Sequence, residues 1–334
     1  MIVNNSPDAA PEVSVIMPVH DCEKYLGEQL DSLLRDCRIA IEVIAIDDGS
    51  TDRSLEILQA YAQKDDRLRI LRQANSGPGA ARNAGLRVAR GEWIAFADAD
   101  DLMPSTGLER WLDQAREQDV DVLVGNSYRF RDQAAREAAE PFFVQQPWGQ
   151  VTTGAAWITH CVQRREWPHY VWLQLVRRAH IERHELAFNP DILHEDVLWT
   201  TTLALATQRM GFCQTPTYGY RRHAESIVFS ASPARRQLRG KSYLFIIQTL
   251  LNHAQRQDLA RPVRFALRRH VFHEVLCFID LLRKDIEQPQ VRRELARSLQ
   301  QMGVWRPLIG CARWPTDLLK LKKAHFRIKC LAGA

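Results

Sequence analysis

The N-terminal two thirds of the chain alternate short apolar runs with amphipathic stretches. Val13-Ser-Val-Ile-Met-Pro-Val19 is β-branched and apolar, and its proline ends it, which predicts a buried strand. Glu23 to Asp36 follows with Leu26, Leu30, Leu33 and Leu34 on one face, the spacing of a helix. Ile41 to Ile46 is the next strand, closed by the turn-forming Asp47-Asp48-Gly49-Ser50-Thr51-Asp52, after which Leu55, Leu58 and Tyr61 mark a helix. Leu68–Leu71, a helix over Pro78 to Ala89, strand Trp93–Ala97, a helix over Leu108 to Gln118 and strand Asp121–Gly125 continue the series. Alternation at this spacing predicts an α/β fold: a mostly parallel sheet in three layers. Ligands of such sheets bind at the carboxyl ends of the strands, where the polar clusters fall. Arg129 to Gly149 reads as a loop or insertion. Thr153 to Leu205 reads as mainly helical, and the chain beyond Ser232 as almost wholly helical.

Charge divides the chain at about the same place. From Ala231 onward there are 21 Lys and Arg against 7 Asp and Glu, whereas the preceding residues carry 24 against 33. An acidic region over 1–230 and a helical, basic region over 231–334 are therefore expected to have different partners. An anionic membrane surface or an anionic glycan suits the basic region, and nucleic acid is not expected as a partner. The 46% hydrophobic and 25% charged fractions are those of an ordinary globular protein. No signal-like or membrane-spanning segment is read, and the seven scattered cysteines never form CxxC. A cytoplasmic protein with reduced thiols, peripheral on the inner face of the membrane, is the expectation.

Five clusters carry candidate chemistry. Asp47-Asp48 could accept hydrogen bonds from a ribose or a uracil imide, or could simply close a turn. Asn75-Ser-Gly-Pro-Gly79 with Ala81-Arg-Asn-Ala-Gly85 brings small residues and Arg82 to a helix N-terminus, a setting that favours anions. It is neither a P-loop nor a dinucleotide fingerprint. Asp98-Ala-Asp-Asp101 sets three mutually repelling carboxylates after a strand, a cost that a divalent cation with oxygen ligands would relieve. His194-Glu195-Asp196 offers a general base, or else the acidic first turn of a helix. Tyr218-Gly-Tyr-Arg-Arg-His223 could close over phosphates or complete a metal shell.

In their order, these segments together with Val13–His20 resemble glycosyltransferase family 2, inverting enzymes of the GT-A fold. The resemblance spans roughly residues 11–230. It implies that Pro18 lines a nucleotide pocket and that Asp48, with Asp47 beside it, holds the uracil or ribose. Arg82 and Asn83 would sit by the diphosphate or sugar. Asp98 and Asp100 match the DxD motif, with Asp100 as the metal ligand for Mn²⁺ or Mg²⁺ and His223 as a late ligand. Asp196 matches the base, and Glu195 would orient it. The implied reaction moves a sugar from a nucleoside diphosphate, most naturally UDP, to a saccharide hydroxyl. A lipid-linked acceptor, as for relatives that build surface polysaccharide or lipopolysaccharide, would give the basic region a purpose.

Two other readings compete. A nucleotidyltransferase would want a basic loop after the first strand, and Pro18-Val-His-Asp-Cys22 does not supply one. A non-catalytic glycan- or membrane-binding relative would have no reason to keep the repelling carboxylates. The tail Trp314 to Ala334 is amphipathic, but Lys322 and Lys329 intrude on its apolar half, so a peripheral membrane helix and a helix packed on the domain are equal expectations.

Overall fold

The computed structural model describes residues 10–131, 140–222, 232–312 and 315–333. Contacts divide the chain into two compact units, Met1–Trp157 with Pro168–Pro190 and Trp199–Ala224, and Ile158–Trp167 with Asp191–Leu198 and Glu225–Ala334.

The first unit holds an eight-stranded sheet. Its strands are β1 (Val13–Val19), β2 (Ile41–Asp48), β3 (Leu68–Gln73), β4 (Trp93–Phe96), β5 (Val122–Phe130), β6 (Val151–Thr152), β7 (Gln174–Arg177) and β8 (Met210–Arg221), in the order β3-β2-β1-β4-β7-β5-β8-β6. β1 pairs in parallel with β2 and β4, β2 with β3, and β5 with β8. The helices that alternate with the first strands are α1 (Leu26–Leu34), α2 (Ser54–Ala62), α3 (Gly77–Val88) and α4 (Ser105–Glu117). All of β2 and all but one residue of β1 are buried, which is why these strands read as continuous apolar runs. The chain order reverses direction between β1 and β4, the switch point where open α/β sheets bind ligands. The expected mostly parallel α/β sheet is what forms.

Two elements depart from the expected course. β7 lies inside the stretch read as mainly helical and pairs antiparallel with both β4 and β5. Four residues are too few to show a period, and the strand is defined only by partners far away in sequence. β5 runs to Phe130, beyond the expected end at Gly125, because β8 continues alongside it. The pairing there shifts at Asn126, a fully buried side chain that donates to Phe143 O and Gln214 O and accepts from the Ser127 and Phe143 N–H groups. Gly125 sits against the Trp111 ring with no room for a Cβ.

α5 (Gly154–Arg164), α6 (Arg178–Arg183) and α7 (Glu195–Ala206) follow. The second unit is built on α8 (Pro233–Gln255), α9 (Arg261–Lys284), α10 (Pro289–Gln301), α11 (Trp305–Ile309) and α12 (Pro315–Ala332). They close a core through Ile246, Leu250, Phe278, Leu282 and Leu299. Of the two expectations for the tail, packing on the domain is the observed one. α12 buries Leu321, Ala324, Ile328 and Ala332 in that core and leaves Leu319 and Phe326 exposed. No helix among the described residues is long and apolar enough to cross a membrane.

Glu42 on β2 is a buried charge that ties strands to a loop. Its carboxylate accepts from Ser14 Oγ at 2.7 Å, Arg90 N at 2.7 Å and Arg69 Nη1 at 2.8 Å. Burial by itself raises the Glu42 pKa, but these donors outweigh it and hold the carboxyl below its usual range. The folded value is thus below the unfolded one, so the stabilisation is present above the ordinary glutamate pKa of about 4.3 and is lost as the pH falls below it. Glu42→Gln should cost roughly 2 kcal/mol of unfolding free energy at neutral pH. Urea titrations of both proteins should show the deficit shrinking in acid; a deficit independent of pH would contradict the ionised state.

Candidate active site

The carboxyl ends of β1, β2 and β4 present the polar segments together. β2 ends in Asp47 and Asp48, both buried. Gly49 follows at φ 71°, and a Cβ there would stand 2.9 Å from Asn75 N, so glycine lets the two loops meet. Asp48 Oδ1 accepts from Ser76 N and Gln73 Nε2, and Oδ2 from Gly77 N, all at 2.8 Å. It therefore anchors the start of α3, placing a negative charge at the positive end of that helix. Asp47 accepts from Ser50 N at 3.1 Å and faces Arg72 at 3.5 Å. His20 Nδ1 bonds Asp48 O at 3.0 Å, and its Nε2 lies 3.1 Å from Asn75 Nδ2. Pro18 is half-buried on β1, opposite Ile46.

The Gly-rich segment forms α3, as expected. Arg82 is 6% exposed and donates to Asp98 Oδ1 at 3.0 Å, with Phe188 beneath its guanidinium. Asn83 engages both ends of its amide with the Phe188 backbone, so it works as a clamp between α3 and that segment.

The acidic loop is three carboxylates with two fates. Asp101 is 1% exposed and turned inward, accepting from Tyr218 Oη at 2.9 Å and Arg221 N at 2.8 Å. Burial, and then the Asp100 and Asp98 charges, push its pKa well above the usual carboxylate range. Asp98 and Asp100 stay half-buried. Tyr218 Oη also accepts from Asp98 N, Gln29 Nε2 donates to Asp98 O, and Gln29 Oε1 accepts from Met103 N. Leu102 and Gly219 exchange backbone hydrogen bonds at 2.9 and 2.8 Å, which fastens the loop to β8. Arg221 donates to Asp100 O and Glu28, so its guanidinium holds the loop and is not spare for phosphates. Cys22 lies nearby, but burial and the Asp100 charge raise its thiol to about 12, which keeps it protonated and non-nucleophilic.

The loop's donor set fits a divalent cation: two accessible carboxylates from one loop, with the remaining positions left to substrate phosphates. Among the described residues no three His, Cys, Asp or Glu side chains form a complete metal cage. His223 lies outside the described residues.

Glu195 and Asp196 begin α7, in the helical unit. Glu195 is buried, and Asp196 is half-buried with Oδ1 accepting from Val197 N at 3.0 Å. The preceding His194 is held at φ 61°, a strained conformation for a residue with a Cβ. Its Nε2 accepts from Arg239 Nε at 3.2 Å, and Leu193 N donates to Ser242 Oγ. Because an arginine Nε can only donate, this contact requires the neutral imidazole. Burial, and then Arg239, lower the His194 pKa in the same sense.

Gln29 supports the site without having been expected there, and Tyr218 and Arg221, read as part of a segment that could close over phosphates, instead hold the acidic loop. Gln29 reads as one more helix residue, and the only signal for it is a polar side chain on the buried face of α1.

An α/β sheet with a carboxylate pair at its switch point is the architecture of GT-A glycosyltransferases. Residues 14–166 match the sequence model of glycosyl transferase family 2. It is 29% identical over 306 residues to the uncharacterized glycosyltransferase YibD of Escherichia coli (strain K12), a match covering 90% of this chain and 88% of that protein. It is 34% identical over 228 residues to the uncharacterized glycosyltransferase EpsJ of Bacillus subtilis (strain 168), covering 65% of this chain and 63% of that one. The fold matches the S. aureus TarS 1–349 structure in complex with UDP-GlcNAc at TM-score 0.70 and 22% identity, covering 96% of this chain and 90% of that one. It also matches the mannosyltransferase PcManGT of Pyrobaculum calidifontis, a complex with GDP-Man and Mn²⁺, at TM-score 0.55 and 16% identity over 98% of this chain and 88% of that one. The chain is a glycosyltransferase.

The Asp98–Tyr218–Asp101 relay yields a direct test. Tyr218→Phe removes the donor to Asp101 and the acceptor for Asp98 N, and should cost about 1–3 kcal/mol of stability. Hydrogen exchange should show the Asp98 amide losing protection. Unchanged protection would mean that the relay does not hold the loop.

Proposed function

We propose that the protein is an inverting glycosyltransferase that moves a sugar from a UDP-linked donor to a saccharide hydroxyl. The observation that carries the reading is the sorting of the acidic loop, which buries Asp101 as an anchor and leaves Asp98 and Asp100 at the sheet's switch point beside Arg82. The UDP-GlcNAc held by a protein of the same fold supports the choice of nucleotide. Asp47, Asp48 and Pro18 would shape the nucleotide end. Asp48 would do so through the loop it fixes, and its backbone and that of Ser76 and Gly77 would flank the ligand. Arg82 would face the diphosphate, and Asn83 would act by keeping α3 and Phe188 in place.

Asp98 and Asp100 would hold Mn²⁺ or Mg²⁺, with Asp100 the direct ligand and His223 a further one. When bound, the cation would offset charge growing on the departing diphosphate. Asp196 would take the acceptor's proton as its oxygen attacks, and Glu195 would orient it. A single displacement inverts the anomeric centre. The neutral His194–Arg239 contact supports this role, since it restrains the residues that lead into Asp196. The acceptor would be a growing saccharide, lipid-linked in a surface-polysaccharide or lipopolysaccharide pathway, and the basic helical region would bring the enzyme to an anionic membrane face.

Two measurements test the division of labour. Chelation by EDTA should abolish transfer, Mn²⁺ or Mg²⁺ should restore it, and Asp100→Ala should lose affinity for UDP with Mn²⁺ in calorimetry. Transfer that persists in chelator removes the metal from the reading, and release of pyrophosphate in place of UDP would favour nucleotidyl transfer.

Asp196→Asn keeps size and polarity but loses basicity, so turnover should fall about 10²–10⁴-fold while UDP–Mn²⁺ binding holds. Near-normal transfer by that variant, or a loss of UDP binding matching Asp100→Ala, would discard Asp196 as the base.

A further inference from the structure

The helical unit contains two adjoining concavities lined by cations. α9 begins Arg261-Pro-Val-Arg-Phe-Ala-Leu-Arg-Arg, and Arg261, Arg264 and Arg268 recur at i, i+3 and i+7, on one helix face. With Phe265 and Gly310 they line a cavity of about 260 Å³ whose wall carries no acid. Arg264 is engaged by a neutral partner, donating from Nη1 to Gln257 Oε1. Arg268 has no hydrogen-bond or ion-pair partner among the described residues. The Nε atoms of both are buried without an acceptor there. Phe265 is the wall shared with a second cavity, of about 640 Å³, between α5, α9 and the start of α12. That cavity adds Arg164, Arg165, Arg269 and Lys320 against one acid, Asp317, which Arg269 already neutralises at 2.7 Å.

Like charges gathered on a concave surface repel one another, and no carboxylate lines the smaller cavity to offset them. Burying the Nε donors of Arg264 and Arg268 with no acceptor adds a desolvation cost. An anion removes both costs. Guanidinium groups match phosphate oxygens in geometry and can engage them in pairs. The concave shape selects a discrete group over a flat charged plane. The larger cavity offers Thr159, Gln163 and Thr316 beside Pro262 and Phe265, a lining suited to a hydroxylated carbon skeleton.

We propose that this pair of cavities is a binding site for a phosphate ester, with the phosphate on Arg261, Arg264 and Arg268 and its polyol or sugar remainder in the larger cavity. The site lies wholly in the helical unit and its occupancy does not depend on the transfer reaction.

The test uses the whole protein with ¹⁵N-labelled arginine and no donor or acceptor. Inorganic phosphate should shift the Nε–Hε signals of Arg261, Arg264 and Arg268 saturably, with weakening by salt. Assignment by single Lys variants separates these signals from any phosphate effect at Arg82. Arg268→Gln should weaken phosphate binding about tenfold and Arg268→Lys less, with unchanged circular dichroism in both. Glycerol 3-phosphate binding more tightly than phosphate supports use of the larger cavity and a soluble or acceptor-borne ester. The same signals responding to phosphatidylglycerol vesicles, and not to phosphatidylcholine, support the site with a lipid headgroup as the source. If the three signals stay fixed through the phosphate titration, or Arg268→Gln binds phosphate as the parent does, the site does not exist.

Discussion

The carboxyl edge of the sheet depends on how three carboxylates in four residues are kept apart. Two remain at the sheet edge, and the third, Asp101, is turned into the protein, where Tyr218 Oη and Arg221 N hold it. Burial and its two neighbours raise the Asp101 pKa. The same contact fixes where Asp98 and Asp100 stand, because the loop is pinned to β8 and cannot swing away. An edge made of backbone turns is thereby given a rigid support.

The support is drawn from across the sheet. Gln29 on α1, Tyr218 and Arg221 on β8, and the Leu102–Gly219 bridge all close on the same few residues. β7 makes this possible by entering antiparallel between β4 and β5, which carries β8 within the same sheet as β1 to β4. Asp48 does the equivalent work on the other side, fixing the start of α3 and with it the Arg82 guanidinium that meets Asp98. Several polar residues that look like ligands in waiting are thus occupied in holding the backbone.

The helical unit has its own buried polar centre. His270 lies 3.2 Å from Glu274, with the Trp167 ring 4.1 Å from the imidazole. Burial alone would raise the Glu274 carboxyl, but the close approach of His270, and then His273, bring it below its usual range. His194, in its left-handed conformation, belongs to the same neighbourhood through Arg239 and Tyr243. The segment that leads to Glu195 and Asp196 is consequently set by packing against α8, and not by the helix propensity of the residues themselves.

The sequence by itself determined the framework of the sheet-bearing half. Continuous apolar runs for β1, β2 and β4 and the amphipathic spacing of α1 to α4 are local signals that burial on a parallel sheet requires. It also determined that the carboxylates cluster at strand ends, since the motif from Asp98 to Asp101 is contiguous. Only the tertiary structure decided which carboxylate faces inward, because burial of Asp101 depends on Tyr218 and Arg221, more than a hundred residues away. It decided that Asn83 clamps Phe188, that Arg221 anchors the acidic loop and that β7 is a strand, each a property of a distant partner and not of local spacing. It decided too that α12 packs into the helical core, where Leu321 and Ile328 find apolar neighbours that no periodicity along the tail could reveal. Local periodicity records which face is buried; only the folded chain supplies what that face is buried against.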